Sequence, residues 1–355
     1  MPDNLKQLRE RIDALDLEIL KLVSERASAA LAIGKLKGDG PVYRPEREAQ
    51  VLRRLAQRNP GPLHEKVVTH LFAEVISACR ALEDAFSVAS LGPKGTFSEE
   101  AAVKHFGGQA AVLLCPSIDE VFRSVESGSI GYGVVPVENS TEGAVGRTLD
   151  LLLSTPLKIC GEVLLPVHQN LLSRGNDIAA VKRIFSHAQS LAQCNRWLAQ
   201  NCPRAERIAV ASNAEAARMA QEDAESAAVA GRSAADYYRL PVLAGNIEDE
   251  PNNTTRFVVI SRQDVAPSGN DKTSLVISTR NVPGAIHQLL TPLAQNGVSM
   301  TRLESRPSRT GLWEYVFFLD MEGHQGDENV ARALEGMRKL AAFLKILGSY
   351  PVAVQ

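Results

Sequence analysis

The sequence predicts a multidomain chain: an all-α domain of three helices, then an α/β domain, then a small α+β domain. Three patterns predict it. Apolar residues recur at gaps of three and four through the first 86 residues. From Val88 short apolar strands alternate with amphipathic helices, which argues largely parallel sheets. The stretch from about Thr273 runs strand, helix, strand, strand, helix, strand, an order that builds a ferredoxin-like sandwich. A length of 355 residues also exceeds what one core usually holds. The expected domains span 1–87, 88–263 and 273–355, with a polar linker containing Pro and Gly over 264–272.

Composition narrows the function classes. Thirty-nine Lys and Arg against 41 Asp and Glu leave a formal charge of −2, which removes the main electrostatic argument for non-specific nucleic-acid binding. The five cysteines form no C-x-x-C pair and the seven histidines no H-E-x-x-H, so neither a zinc site nor a disulfide framework is expected, and no cofactor is expected either. The N-terminus is charged from its third residue, and no stretch of about 18 apolar residues is present to span a bilayer. A soluble, cytoplasmic protein without membrane or nucleic-acid partners is expected.

The first helix is predicted over Leu5–Leu36, with a seam of Leu5, Leu8, Ile12, Leu15, Ile19 and Leu22, and Gly38-Asp39-Gly40-Pro41 stops it. A second starts near Pro45, with Glu46 and Glu48 in its first turn. A third is predicted over Leu63–Phe86. Arg26 continues the apolar seam of the first helix, where an unpaired guanidinium costs several kcal/mol. A snorkelling or internally paired Arg26 is the plain reading. Against it, Lys37 lies three turns and about 16 Å further along the same face, so the two cations can close on a small anion. Arg9 lies about 25 Å before Arg26 in a straight helix, so a site using both must take Arg9 from a second chain. On the third helix Phe72, Ile76, Cys79 and Glu83 follow at gaps of four, three and four. An acid on that stripe is either kept protonated by desolvation or paired with a buried Arg, and spacing alone does not choose.

LRERIDALD, the Arg26 and GKLK positions and YRPEREAQVL resemble the all-helical chorismate mutases, an intertwined dimer, over nearly all of the first 86 residues. The resemblance implies that Arg9 of a partner chain, Arg26, Lys37, Arg44, Arg47, Glu48 and Cys79 surround chorismate, with Glu83 near its ether oxygen. Many members carry Gln at the Glu83 position and Ser at the Cys79 position. Rearrangement to prephenate needs neither nucleophile nor metal; it needs the compact conformer held and charge on the ether oxygen stabilised. Lys37 and a protonated Glu83 suit the second task.

In the α/β domain, Gly92-Pro93-Lys94-Gly95-Thr96 opens a helix, with Thr96 and Glu99 spaced as a capping box. A glycine-rich turn there also suits an anion, although a plain cap is the simpler meaning. Polar clusters at Glu138-Asn139-Ser140-Thr141, Ser186-His187-Ala188-Gln189 and Asn252-Asn253-Thr254-Thr255-Arg256-Phe257 fall at strand ends, where α/β sheets form ligand crevices. GPKGTFSEEAA, VPVENSTEGAV, SHAQSLAQC and NNTTRF together resemble prephenate dehydratase, whose fold is similar to two-lobed periplasmic binding proteins. The resemblance implies that Thr255 is the catalytic hydroxyl and that Thr96, Glu138, Asn139, Ser140, Thr141, Ser186, Gln193, Arg256 and Phe257 contact prephenate. Threonine is a weak acid and must be polarised, by Arg256 or by another donor.

The C-terminal unit resembles the ACT domain, which binds amino acids. Gly284-Ala285-Ile286 opens its first helix and Glu304-Ser305-Arg306-Pro307 follows, and the resemblance implies that both bind L-phenylalanine at a subunit interface. The expected protein is a feedback-regulated enzyme of phenylalanine biosynthesis, a homodimer or higher oligomer. The competing reading is a non-catalytic sensor of prephenate or an amino acid. If Glu83 acts as an acid, mutase activity falls as pH rises and Glu83→Gln removes that fall; identical pH profiles for the two proteins contradict it.

Overall fold

The computed structural model describes residues 2–37, 41–83, 87–280, 282–307 and 315–354. Helices α1 (Pro2–Lys37), α2 (Pro45–Gln57) and α3 (Glu65–Ala81) form the N-terminal unit. Pro45 takes the first position of α2, with Glu46 and Glu48 in its positive first turn. α3 is shorter than the apolar spacing predicts. Its last carbonyls are taken up by the Leu82 and Glu83 amides in a tightened turn, so Glu83 lies just beyond the helix. Among the described residues nothing covers the seam of α1: Leu8, Ile12 and Ile19 are 52–58% exposed.

The middle of the chain forms two lobes. The first holds β1 (Ser87–Leu91), α4 (Phe97–Phe106), β2 (Ala111–Cys115), α5 (Ile118–Glu126), β3 (Tyr132–Asn139), β4 (Gly143–Ala144), α6 (Gly146–Ser154) and β5 (Lys158–Pro166). The second holds β6 (Asn170–Ser173), β7 (Arg183–Ser186), α7 (Ala188–Gln193), α8 (Asn195–Asn201), β8 (Glu206–Ala209), α9 (Asn213–Ala220), β9 (Ser226–Ala230), α10 (Arg232–Tyr238) and β10 (Val242–Ala244). The chain then returns to the first lobe as β11 (Thr254–Ser261). Because it re-enters from the far end, β11 runs antiparallel between β3 and β5, in the order β2-β1-β3-β11-β5. The sheets are therefore mixed rather than largely parallel; the second has the order β10-β6-β9-β7-β8. β2, β6 and β10, of three to five residues, are too short to show a period in the sequence. Two crossing segments join the lobes and bond to each other through Val167 N–H to Asn253 C=O at 2.8 Å.

The C-terminal unit is β12 (Asp271–Ser278), α11 (Ala285–Gln295), β13 (Met300–Pro307), β14 (Tyr315–Glu322), α12 (Glu328–Leu340) and β15 (Phe343–Pro351). Its sheet has the order β13-β14-β12-β15. One face carries α11 and α12 over Leu275, Ile277, Leu319 and Met321. The other stacks on the first lobe, so that Val135, Val137, Val258 and Ile260 share a core with Val276, Phe318, Leu347 and Tyr350. No helix among the described residues is long and apolar enough to cross a membrane.

The helical unit is fastened to the first lobe by Tyr43, 2% exposed, which packs edge-on against Phe106, Tyr132 and His105. Burial pushes the Tyr43 phenol up. Burial and then the Arg80 charge push His105 down to about 3. The pair is therefore neutral, with Tyr43 Oη hydrogen-bonded to His105 Nε2 at 2.6 Å. A histidine whose folded pKa is depressed costs nothing above the unfolded value near 6.5. It costs stability progressively as pH falls below that value, by at most about 2 kcal/mol at pH 5. One edge of His105 is partly exposed, which trims the effect. Thermal unfolding between pH 7 and pH 5 should fall less steeply in His105→Gln than in the parent; equal slopes contradict a buried neutral imidazole.

Candidate active sites

Where the second half of α1 crosses α2 and α3, charged groups sit in an apolar setting. Arg26 is half-buried, and its Nη1 is shielded from solvent with no hydrogen-bond partner among the described residues. Glu48, in the first turn of α2, accepts from Arg80 Nη1 at 2.5 Å. Burial pushes its carboxyl up, against the pull of Arg80 and Arg26. Glu83 packs close to Gly34 of α1, where an added Cβ would stand 3.1 Å from Glu83 Cγ. The structure thus brings Arg26 and Glu48 together and sets Glu83 against the same helix further along. Cys79 is buried, while Arg9, Arg44 and Arg47 are exposed, Arg44 lying 3.9 Å from Glu46. The Lys37 side chain lies outside the described residues.

Arg80 is the residue that sequence reasoning missed. It is 5% exposed, donates to Glu48 and to the Phe106 carbonyl, and lies 5.3 Å from the Tyr43 ring centroid. Its signal was available, since it interrupts the apolar run Ile76–Ala81.

The second site lies at the ends of β3 and β11, where Thr255 pairs in register with Asn139. Asn139 Oδ1 accepts from the Thr141 and Glu142 amides, at 3.0 and 3.2 Å, and from Thr141 Oγ1 at 2.6 Å. Those two backbone donors settle which end of the amide is oxygen. Asn139 Nδ2 therefore points the other way, donating to Thr255 Oγ1 and Asn253 Oδ1, both at 2.8 Å. Thr255 receives a hydrogen bond on its oxygen, and its own proton is left for the cleft. The network continues into the second lobe: Asn253 Nδ2 donates to Gln193 Oε1 at 3.2 Å, and Gln193 Nε2 to Thr141 Oγ1 at 3.3 Å. Gln169 on the crossing segment donates to Gln193 and Ser190. Asn253 and Gln169, both buried, are further members; Asn253 lay inside a recognised motif, whereas Gln169 carried no periodic signal.

Several expected contact residues stand elsewhere. Thr96 caps α4, accepting from Glu99 N–H while Glu99 Oε2 accepts from Gly95 N–H at 2.6 Å, so the cap reading describes it. Ser186 is fully buried and donates to Val229 C=O and Asn213. Ser140 ties its loop to Thr254 N–H. Phe257 is a core residue beside Val88 and Phe106. Arg256 and Glu138 face the C-terminal sheet: Arg256 Nε lies 2.9 Å from Glu162, its Nη1 2.5 Å from Asp320, and Glu138 lies 2.9 Å from Arg302 Nε. The donor on Thr255 is thus Asn139, not Arg256.

In the C-terminal unit Gly284, with φ of +74°, precedes α11 in a left-handed turn that favours glycine, Ala285 starts the helix and Ile286 is exposed. Glu304 and Arg306 are half-buried and Ser305 and Pro307 exposed, as an edge strand alternates. Arg306 is held by Asp150 of α6 at 3.0 Å, and Gly146 makes room for its guanidinium.

Comparison with known proteins gives matches in the same order. Residues 8–84 match the family model of chorismate mutase type II, 88–265 that of prephenate dehydratase and 273–338 that of the ACT domain. A bifunctional chorismate mutase/prephenate dehydratase of Neisseria gonorrhoeae is 55% identical over 349 residues, covering 98% of this chain and 96% of its own. One from Pseudomonas aeruginosa is 51% identical and covers 99% of both chains. Among solved structures, prephenate dehydratase of Arthrobacter aurescens in complex with L-Phe superimposes with a TM-score of 0.69 at 34% identity, covering 75% of this chain and 90% of that one.

Proposed function

The chain belongs to the bifunctional chorismate mutase/prephenate dehydratase family, with an ACT domain at its C-terminal end, and from that membership we propose where each reaction is carried out. The observation that carries the dehydratase assignment is the hydrogen bond from Asn139 Nδ2 to Thr255 Oγ1. Loss of the ring hydroxyl and CO2 from prephenate is driven by aromatisation to phenylpyruvate. The bond to the departing hydroxyl breaks as the carboxylate's electrons enter the ring, and the hydroxyl needs a proton to leave as water. Thr255 supplies it, or a strong hydrogen bond in its place. Asn139 takes up the charge growing on Oγ1, as an oxyanion donor does.

Chorismate is bound in the helical unit around Arg26, whose buried Nη1 has no partner among the described residues and suits a carboxylate. Glu48 and Glu83 border that site, and Lys37, Arg44 and Arg47 complete its cationic rim. Arg9 reaches it from a second copy, whose α1 covers the exposed seam of the first. L-phenylalanine acts as feedback inhibitor through the ACT domain, around Gly284–Ile286 and Glu304–Pro307, by favouring a less active state. The L-Phe complex of the Arthrobacter aurescens dehydratase supports this reading.

With chorismate supplied and both products followed, Thr255→Ala should lower phenylpyruvate formation by about 10²–10⁴-fold while prephenate still accumulates at the parent rate. Near-normal phenylpyruvate contradicts the assignment. Arg9→Ala and Arg26→Ala should each abolish mutase turnover, yet regain activity when the two proteins are unfolded and refolded together, because a mixed dimer holds one intact site. A mixture as inactive as its parts contradicts a shared site.

A further inference from the structure

The strands that carry the proposed dehydratase site are gripped from behind. Thr255 and Asn139 are register partners on the cleft side, and the next pair, Arg256 and Glu138, is in register on the opposite face. Facing that pair in the ACT sheet are Asp320 on β14 and Arg302 on β13, themselves register partners. The four charges alternate: Arg256 Nη1 stands 2.5 Å from Asp320 Oδ2, and Arg302 Nε 2.9 Å from Glu138 Oε2. Both arginines and Asp320 are about nine-tenths buried.

The Asp320 contact is built, not incidental. Arg256 also donates to Tyr350 Oη at 2.8 Å and to Glu162, which Lys272 neutralises at 2.8 Å. Ser274 fixes the second oxygen of Asp320 at 2.5 Å. The Arg302 contact is looser: its Nε–H is not aimed at Glu138 and its Nη2 has no hydrogen-bond partner among the described residues, beside a small cavity lined also by Arg256, Ser274 and Asp320. The backbone ladder shifts register at this point, between Arg256 and Phe257, so the side-chain anchors carry what regular pairing would otherwise fix.

We propose that Asp320 and Arg302 of the ACT domain are positioning residues for dehydration: by clasping Arg256 and Glu138 they hold the two strands so that Asn139 meets Thr255. The ACT domain then completes the dehydratase site as well as sensing an effector. This rests on Thr255 and Asn139 forming that site.

Steady-state kinetics on the full chain test it. In Asp320→Asn, kcat for prephenate should fall roughly tenfold with KM changed less than about twofold, and mutase turnover should stay at the parent value. Tyr350→Phe, a milder change to the same anchor, should lower kcat about threefold. Lys345→Met is the control, because Lys345 docks the ACT sheet on the first lobe by capping the Leu152 and Leu153 carbonyls at the end of α6, away from the four charges; it should keep kcat. Parent-like kcat in Asp320→Asn overturns the proposal, as does an equal loss in Lys345→Met, which makes the contact mere docking. If Asp320→Asn does not fold, parent-like kcat in Tyr350→Phe overturns it and a kcat-only loss supports it. An inactive parent protein would instead remove the underlying site assignment.

Discussion

Between Arg256 and Phe257 the pairing of β11 with β3 accommodates one residue too many, and Val137 is that residue. A strand alternates faces, so plain alternation from Val134 would turn Glu138 toward the cleft and Asn139 away from it. The bulge reverses this. Val137 joins the core shared with the ACT sheet, Glu138 turns to Arg302, and Asn139 comes round to Thr255. The amide–hydroxyl contact proposed as the heart of dehydration, and the charged grip behind it, both depend on that single offset.

The helical unit depends on electrostatics of another kind. Arg26 and Arg80 are placed where water is scarce, and each must find an anion in the fold or in a ligand. Arg80 finds its anion in Glu48 and binds the next domain through Phe106, so the first lobe forms part of the wall behind the helical site. Arg26 presents a shielded nitrogen with nothing bonded to it among the described residues. The uncovered apolar seam of α1 and the distance of Arg9 along it suit a second copy supplying what one chain lacks.

Much of this was legible in the sequence. The seam of α1, Pro45 at the start of α2 and the βαββαβ order each follow from local chemistry that tertiary contacts did not override. Thr255, Asn139, Thr141 and Gln193, taken from three separate motifs, fall in one hydrogen-bond network. What could not be read depended on partners distant along the chain. The direction of Arg256 was hidden because it is set by Asp320, 64 residues on, and by a bulge that leaves no mark in composition. Arg80 shows in the sequence only as a charge interrupting the run Ile76–Ala81; its contact with Phe106, 26 residues on, does not show there. The early end of α3 likewise comes from its last turn closing on itself, against an apolar pattern that runs on.

Dehydration depends on which face each side chain of two paired strands presents, and a crystal structure of the full chain with a non-reactive prephenate mimic bound observes that directly. It should show the mimic's hydroxyl within hydrogen-bond distance of Thr255 Oγ1, Asn139 Nδ2 still on that oxygen, and Arg256 still held by Asp320. A mimic bound through Arg256 or Glu138 turned into the cleft, with Thr255 out of reach, would contradict it.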